Sequence, residues 1–443
     1  MQTTNMPSLQ PPWPEKTIYA SGGGRSLVFD KSALESLNIH EAALLDHFYR
    51  CTITPLFYVE CLADLEKSIR SKSTPEQLVG SLAARTPEWN SAANVHHLNV
   101  LKGELSRAFD IRKVMCRPAV PGGELLRLGE QKGILFRPAP EEEALSRWAQ
   151  GDFLNIERQF AKRWRNDLNA IDFSAMVKKV MTAIGGNWRR PKSLEDAKQM
   201  ADIIIDYMDP EWLIRFGLDL LRVPEATEFV VEDWIYRRRP AVREHLPYFT
   251  FMLSINLFFC LVLPTQLLRN VKPSHQIDLA YLYYLPFCAI FSSRDNFHVQ
   301  IVPLFLSPNQ TFVHGDELKA DLKKLNELYS ALPDEVQRTG LNGFVRHPPD
   351  DTAFFVTRMW DKNMPGWRTM PPPEDVDDPK YDHKSIAEAL KKLTESPEAV
   401  PHTETDIDKL SYIKLERNIR LRKGKWGKFS EETEKRIRDK ADD

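Results

Sequence analysis

At 443 residues, and roughly 150 residues to a domain, the chain has the length of about two or three domains. Hydrophobic residues make up 42% and charged residues 28%, with 10 Trp, 12 Tyr and 23 Phe, which excludes a wholly disordered, collagen-like or disulfide-scaffold chain. The formal charge is −2, so bulk charge does not draw the molecule to nucleic acid, and any such contact must come from local patches.

Residues 1–24 are polar, carry prolines and close on Gly22-Gly23-Gly24, which reads as a loose leader. It has no basic start followed by an apolar run, so no secretory signal is expected. The five cysteines (Cys51, Cys61, Cys116, Cys260, Cys288) are scattered with no CxxC pair, a pattern that fits the reducing cytoplasm. In that setting the sequon at Asn309-Gln310-Thr311 carries no weight.

Chain order then gives an α/β start over 25–74. Leu27, Val28 and Phe29 form a short apolar strand ending on Asp30, and a helix follows with Ser32 as N-cap and Glu35 three residues on. An amphipathic helix from His40, a break at Thr52-Ile53-Thr54-Pro55 and a more buried helix, LFYVECLADLEKSI, come next. From 75 to 245 helical patterns dominate, at 94–109, 141–169 and 193–222, with a hairpin over 114–137 turning at Pro121-Gly122-Gly123. This region reads as a mostly helical inserted domain. Its segment RQFAKRWR (158–165) is basic with aromatic interleaving; the plainer reading is a solvated face with Phe160 and Trp164 packed inward.

Residues 246–268 carry no charge, close to the ~20 residues needed to span a bilayer. Ser254, Asn256 and Pro264 argue instead for a buried core helix, and no membrane association is expected. Over 246–345 the α/β character returns, with a helix opening near Asp278 and a strand CAIFSS before Asp295. VQIVPLFL and QTFVHG read as strands, and GDELKADLKKLNELYSAL as an amphipathic helix. Residues 346–443 read as a polar, partly disordered extension with a short helix at 385–395. Its basic run, KLERNIRLRKGKWGK, is either a nucleic-acid arm or a solvated tail.

Four acidic residues interrupt apolar sequence at element ends: Asp30, Glu60, Asp278 and Asp295. A carboxylate in such a setting costs several kcal/mol unless it is paired, hydrogen-bonded or metal-bound. In an open parallel sheet the strand carboxyl ends share one edge, and ligands bind there; Asp30 and Asp295 both fall on that edge. Three or four oxygen ligands suit Mg²⁺ or Mn²⁺, which can activate water against a phosphodiester. Taken singly, each acid has a plain alternative as a helix cap or as the partner of Lys31, Arg70 or Arg294.

The series LVFDKSALESL, TPLFYVECLADL, HQIDLAYLYYLPF and IFSSRDNF resembles a PIN-like domain, a superfamily of metal-dependent nucleases. The resemblance implies a three-layer α/β/α fold with a central parallel sheet, Mg²⁺ or Mn²⁺ as cofactor, and RNA as a likelier substrate than DNA. Residue by residue it assigns Asp30, Glu60, Asp278 and Asp295 to metal binding and catalysis. Ser293, two residues before Asp295, becomes a supporting hydroxyl. The 217-residue separation of Glu60 and Asp278 departs from the family pattern and makes 75–245 an insertion, a possible surface for a protein partner. The alternative is a catalytically silent PIN-like scaffold whose insert binds that partner.

Other residues weigh less. Asp64 reads as lying at an exposed helix end, and His275 and His298 as partly exposed histidines beside the acids. Asp316 reads as a helix cap. His40-Glu41 with His47 lacks the HExxH spacing, and no GxxxxGK[ST], GxGxxG or GxSxG motif occurs. An ATPase, a dehydrogenase and a serine hydrolase therefore have no support.

Overall fold

The computed structural model describes residues 18–20, 25–66, 73–113, 115–121, 124–128, 131–136, 140–169, 172–185, 189–268, 275–369, 411–414 and 422–428. Its centre is a five-stranded sheet of β1 (Ser26–Phe29), β2 (Arg50–Ile53), β3 (Ser91–Ala93), β4 (Ile290–Ser293) and β5 (Thr311–His314). All pairings are parallel, and the spatial order is β3-β2-β1-β4-β5. The chain therefore steps outward from β1 in one direction, then returns to β1's other side. Strand order reverses between β1 and β4, the place where open α/β sheets bind ligands.

The central strands β1 and β4 are wholly buried, as expected when helices cover both faces of a parallel sheet. Val28 and Phe291 point into one core, shared with helix Pro247–Val262. Leu27, Phe29 and Ile290 point into the other, shared with helices 39–48 and 315–330. The expected α/β architecture with a central parallel sheet is thus present, layered helix, sheet, helix.

Eight helices matter for the site: α1 (Lys31–Ser36), α2 (Ile39–Phe48), α3 (Pro55–Ala63), α4 (Asn155–Asn169), α5 (Pro247–Val262), α6 (His275–Tyr281), α7 (Asn296–Ile301) and α8 (Gly315–Ser330). Their starts follow local chemistry. Asn38 and Glu41 form a capping box on α2, and Thr54 with Pro55 opens α3. The N-cap of α1 is Asp30, not Ser32: its carboxylate accepts the Ala33 N–H, while Ser32 donates to it. The uncharged stretch at 246–268 is α5, 16 residues long and buried from Tyr248 onward except for a partly exposed Phe251. Among the described residues no helix is long and apolar enough to cross a membrane.

Several expectations need correction. The sheet takes its edge strand β3 from inside the 75–245 region, so that region is not wholly apart from the sheet. The antiparallel pair within 114–137 is Glu124–Leu128 with Gln131–Phe136. Ala119–Pro121 pairs instead with Ile18–Ala20, so Pro121 closes a strand of a different sheet. VQIVPLFL is not a strand. Asp295 accepts the Phe297 N–H and starts α7, which runs on into a 3-10 turn at Val302–Leu304.

The C-terminal region also differs from a loose extension where it is described. Helix Phe355–Asn363 packs on the core, and Trp426 is fully buried against Tyr329 and Phe344. Its indole N–H donates to Asn326, while Lys423, 2% exposed, donates to the Thr86 carbonyl. Apolar contact, more than the surrounding charge, decides this segment's place. The helix expected at 385–395 lies outside the described residues.

Candidate functional site

At the reversal point the sheet presents Asp30 at the end of β1 and Ser293 at the end of β4. Register alone makes them neighbours, since Phe29 sits opposite Ser292. The Ser293 hydroxyl donates to Asp30 Oδ2 at 2.6 Å and accepts the Asp295 N–H at 2.9 Å. One serine thus ties two of the four expected acids together.

Asp30 is 4% exposed and saturated with donors. Oδ1 accepts from Ser32 Oγ at 2.8 Å and Ala33 N–H at 2.9 Å; Oδ2 accepts from Ser293 and faces His298 Nδ1 at 3.3 Å. Burial pushes its carboxyl upward, but hydrogen bonds from His298, Ser293 and Ala33, with the imidazole charge, prevail and hold it below the usual carboxylate range.

His298 is not the partly exposed residue its sequence neighbours suggest. It is fully buried, ringed edge-on by Phe291, Tyr281 and Phe297 at centroid distances of 5.3, 5.8 and 5.9 Å. Its position inside the apolar run NFHVQIV was the available signal. Nε2 lies 2.8 Å from the Asp278 carbonyl and Nδ1 2.8 Å from Ser293 Oγ. The serine proton goes to Asp30, so both ring nitrogens face acceptors. Burial disfavours the cation, yet Asp30 and Asp278 raise His298 to about 9, and the ring is an imidazolium at neutral pH.

Glu60, on α3, accepts from the Tyr281 hydroxyl of α6 at 2.5 Å. Burial is the main cause that raises it to about 8; Tyr281 and Lys31 oppose the rise, and the charges of Asp30 and Asp278 add to it. Asp278, on the first turn of α6, is raised to about 7 by burial and by Asp295 and Asp30, against the pull of His298. Asp295 caps α7 through Oδ1. The structure therefore brings Asp30, Ser293 and Asp295 into one hydrogen-bonded chain. It sets Glu60 and Asp278 within electrostatic reach, joined through Tyr281 and His298.

The residues around the acids divide by role. Lys31 is committed to Asp64 at 2.5 Å, and Asp64 is buried instead of ending an exposed helix tip. His275 stacks on Phe297 at 5.1 Å. Asp316 pairs with Arg294, and the cap of α8 is His314. Tyr281 is not legible as a site residue, because only the fold sets it beside Glu60; Lys31 and Ser32 adjoin Asp30 in sequence, and the fold decides that Lys31 pairs with Asp64 while Ser32 donates to Asp30.

The donor set is all hard oxygen, the chemistry of an Mg²⁺ or Mn²⁺ site. Among the described residues no donor reaches the Asp278 carboxylate, and Glu60 keeps one oxygen away from Tyr281. Asp30, by contrast, must release a donor before it can touch an ion. As placed, no three His, Cys, Asp or Glu side chains among the described residues stand close enough to hold a metal.

Comparisons with family models, with curated proteins and with solved structures returned no match.

Proposed function

We propose that this protein is a divalent-metal-dependent phosphodiesterase of PIN-like type, a nuclease with RNA as the first substrate class to test. The observation that carries the reading is the gathering of buried carboxylates at the sheet's reversal point, where burial first and mutual repulsion second raise Glu60 to about 8 and Asp278 to about 7. Acids held together at such cost are characteristic of sites that bind a cation or move a proton. Glu60, Asp278 and Asp295 would hold the ion once drawn closer together than they stand here, and the ion would supply Lewis-acid activation of water and charge for the leaving oxygen. Ser293 fixes Asp30 and Asp295 relative to one another, and His298 keeps Asp30 ionised and oriented.

The test is cleavage of end-labelled single-stranded RNA and DNA with Mn²⁺, Mg²⁺ or EDTA. Metal-dependent cleavage lost in Asp30→Asn and Asp278→Asn supports the reading. Equal activity in Asp278→Asn and the parent sinks it.

A second reading, a silent PIN-like scaffold, is favoured by one observation. Asp30 already has a full set of donors and, at neutral pH, a cation, His298, beside it. It predicts folded protein with neither cleavage nor stabilisation by Mn²⁺.

A further inference from the structure

Helix α4 packs on α3, the helix that carries Glu60, and also on the Asp64–Glu66 turn beyond it. Ala161 is its fully buried contact point. The sequence reading had Phe160 and Trp164 both facing inward. Instead Phe160 is 43% exposed and its ring stacks on the partly buried Trp164, with centroids 6.2 Å apart and planes 15° from parallel. Trp164 in turn rests on the core that contains Val28 and Leu56. The exposed ring is therefore held in place by a second aromatic and is not a freely rotating surface side chain.

Positive charge continues round the helix from this pair, first Arg163 at i+3 from Phe160 and then Lys162. Lys162 and Arg163 are exposed, and no acidic group pairs with either among the described residues. Arg158, one turn earlier, is held by Glu76 at 2.8 Å. The N-terminal turn is fixed by Glu157, which accepts the Leu154 N–H and pairs with Arg147 at 2.7 Å. A merely solvated face has no use for an immobilised aromatic ring presented to water. Ring faces beside unpaired cations are what single-stranded nucleic acid binds: bases stack and phosphates take the charge.

We infer that the exposed face of α4, centred on Phe160, Lys162 and Arg163, is a docking platform for a single nucleic-acid strand, one helix away from Glu60. The inference rests on nucleic acid being the ligand of the proposed function. Phe160 would stack a base at one flank of this face, and Arg163 and then Lys162, successively further round the helix, would meet the phosphates of the strand crossing it. A duplex hides its base faces and is not the expected ligand.

The experiment is fluorescence anisotropy of a fluorescein-labelled single-stranded RNA oligonucleotide with the full chain in EDTA, so that binding is read without cleavage. Phe160→Ala is expected to weaken binding about tenfold, within the range for one stacked base. The triple variant that adds Lys162→Glu and Arg163→Glu to Phe160→Ala should weaken it further and flatten the salt dependence by roughly one to two in log–log slope. Lys323→Glu, on α8, serves as the control and should leave affinity unchanged. Circular dichroism establishes that each variant is folded. Parent-like affinity in the triple variant overturns the platform, as do equal competition by duplex RNA and binding to anionic vesicles in place of RNA. Binding lost in the triple variant but kept in Asp278→Asn supports it, even if no cleavage is ever seen. That last pattern would retire the nuclease reading alone.

Discussion

His298 Nδ1 lies 3.3 Å from Asp30 Oδ2, and the two residues, 268 positions apart in sequence, form a buried ion pair at the centre of the candidate site. Neither is accessible: the imidazole is fully buried and Asp30 is 4% exposed. The pair persists in a low-dielectric setting because each ion also has neutral partners, Ser32, Ser293 and Ala33 for Asp30 and the Asp278 carbonyl for His298. Removing one member leaves the other as an uncompensated buried charge.

This relationship fixes a pH dependence. His298 has a folded pKa of about 9 against an ordinary 6.5, so its contribution is complete below pH 6.5 and is lost as pH rises to about 9. By linkage that amounts to about 3 kcal/mol. Urea denaturation in EDTA should show the parent losing stability across that window, and His298→Asn should lack that part of the slope. At pH 6 the variant is expected to be less stable by about 3–5 kcal/mol. Identical pH profiles for the two proteins would refute the ion pair.

Asp278 gives the opposite kind of test. Its carboxyl is raised to about 7, so folding favours its protonated form and the group's contribution falls as pH rises from about 4 to 7. Asp278→Asn removes the charge and should therefore be more stable than the parent at pH 8, by about 2 kcal/mol once partial exposure is allowed for. Adding Mn²⁺ should reverse the ranking, because an ion that binds only the folded parent stabilises it by mass action. Thermal melts of both proteins with and without Mn²⁺ settle the matter; a variant that melts below the parent in EDTA contradicts the repulsion argument.

Glu104 anchors the start of α5. Only 2% exposed, it accepts the Tyr248 and Phe249 N–H groups at 2.7 Å each. Glu104→Ala strands two buried donors and should cost about 2–4 kcal/mol. Glu104→Gln retains an acceptor and should cost about 1 kcal/mol. Burial raises this carboxyl to about 7, so the parent's share of stability from it fades between about pH 4.5 and 7. Chemical denaturation of the two variants at pH 5 and pH 8 is the check, and equal losses in Ala and Gln would remove the capping role.

Trp426 pins the C-terminal segment to α8 and its neighbours. Trp426→Ala empties a fully buried indole site and breaks the 2.7 Å bond to Asn326, for an expected loss of about 3–5 kcal/mol. Limited trypsin digestion should then cut the basic run between Lys414 and Lys428 well before the rest of the chain. Unchanged cleavage kinetics would mean that the tail is held by something other than this contact.

The sequence by itself determined much of the local structure. Apolar runs bounded by turn chemistry marked β1, β4, β5, α5 and α8, and four acids at element ends marked the candidate site. These features are local: a buried run must be apolar, and a carboxylate there must have a use. The short β2, on the other hand, looked like a break because Thr52-Ile53-Thr54-Pro55 carries no period of its own. VQIVPLFL looked like a strand because β-branched content cannot reveal that Asp295 caps a helix.

Tertiary structure alone decided the rest. Whether a histidine is exposed or a buried cation depends on which rings close around it, and for His298 those rings come from β4, α6 and α7. The same holds for Lys31 on Asp64, Tyr281 on Glu60 and Trp426 in the core. Each joins residues from separate elements, and burial and charge pairing belong to a folded neighbourhood that no sequence window contains.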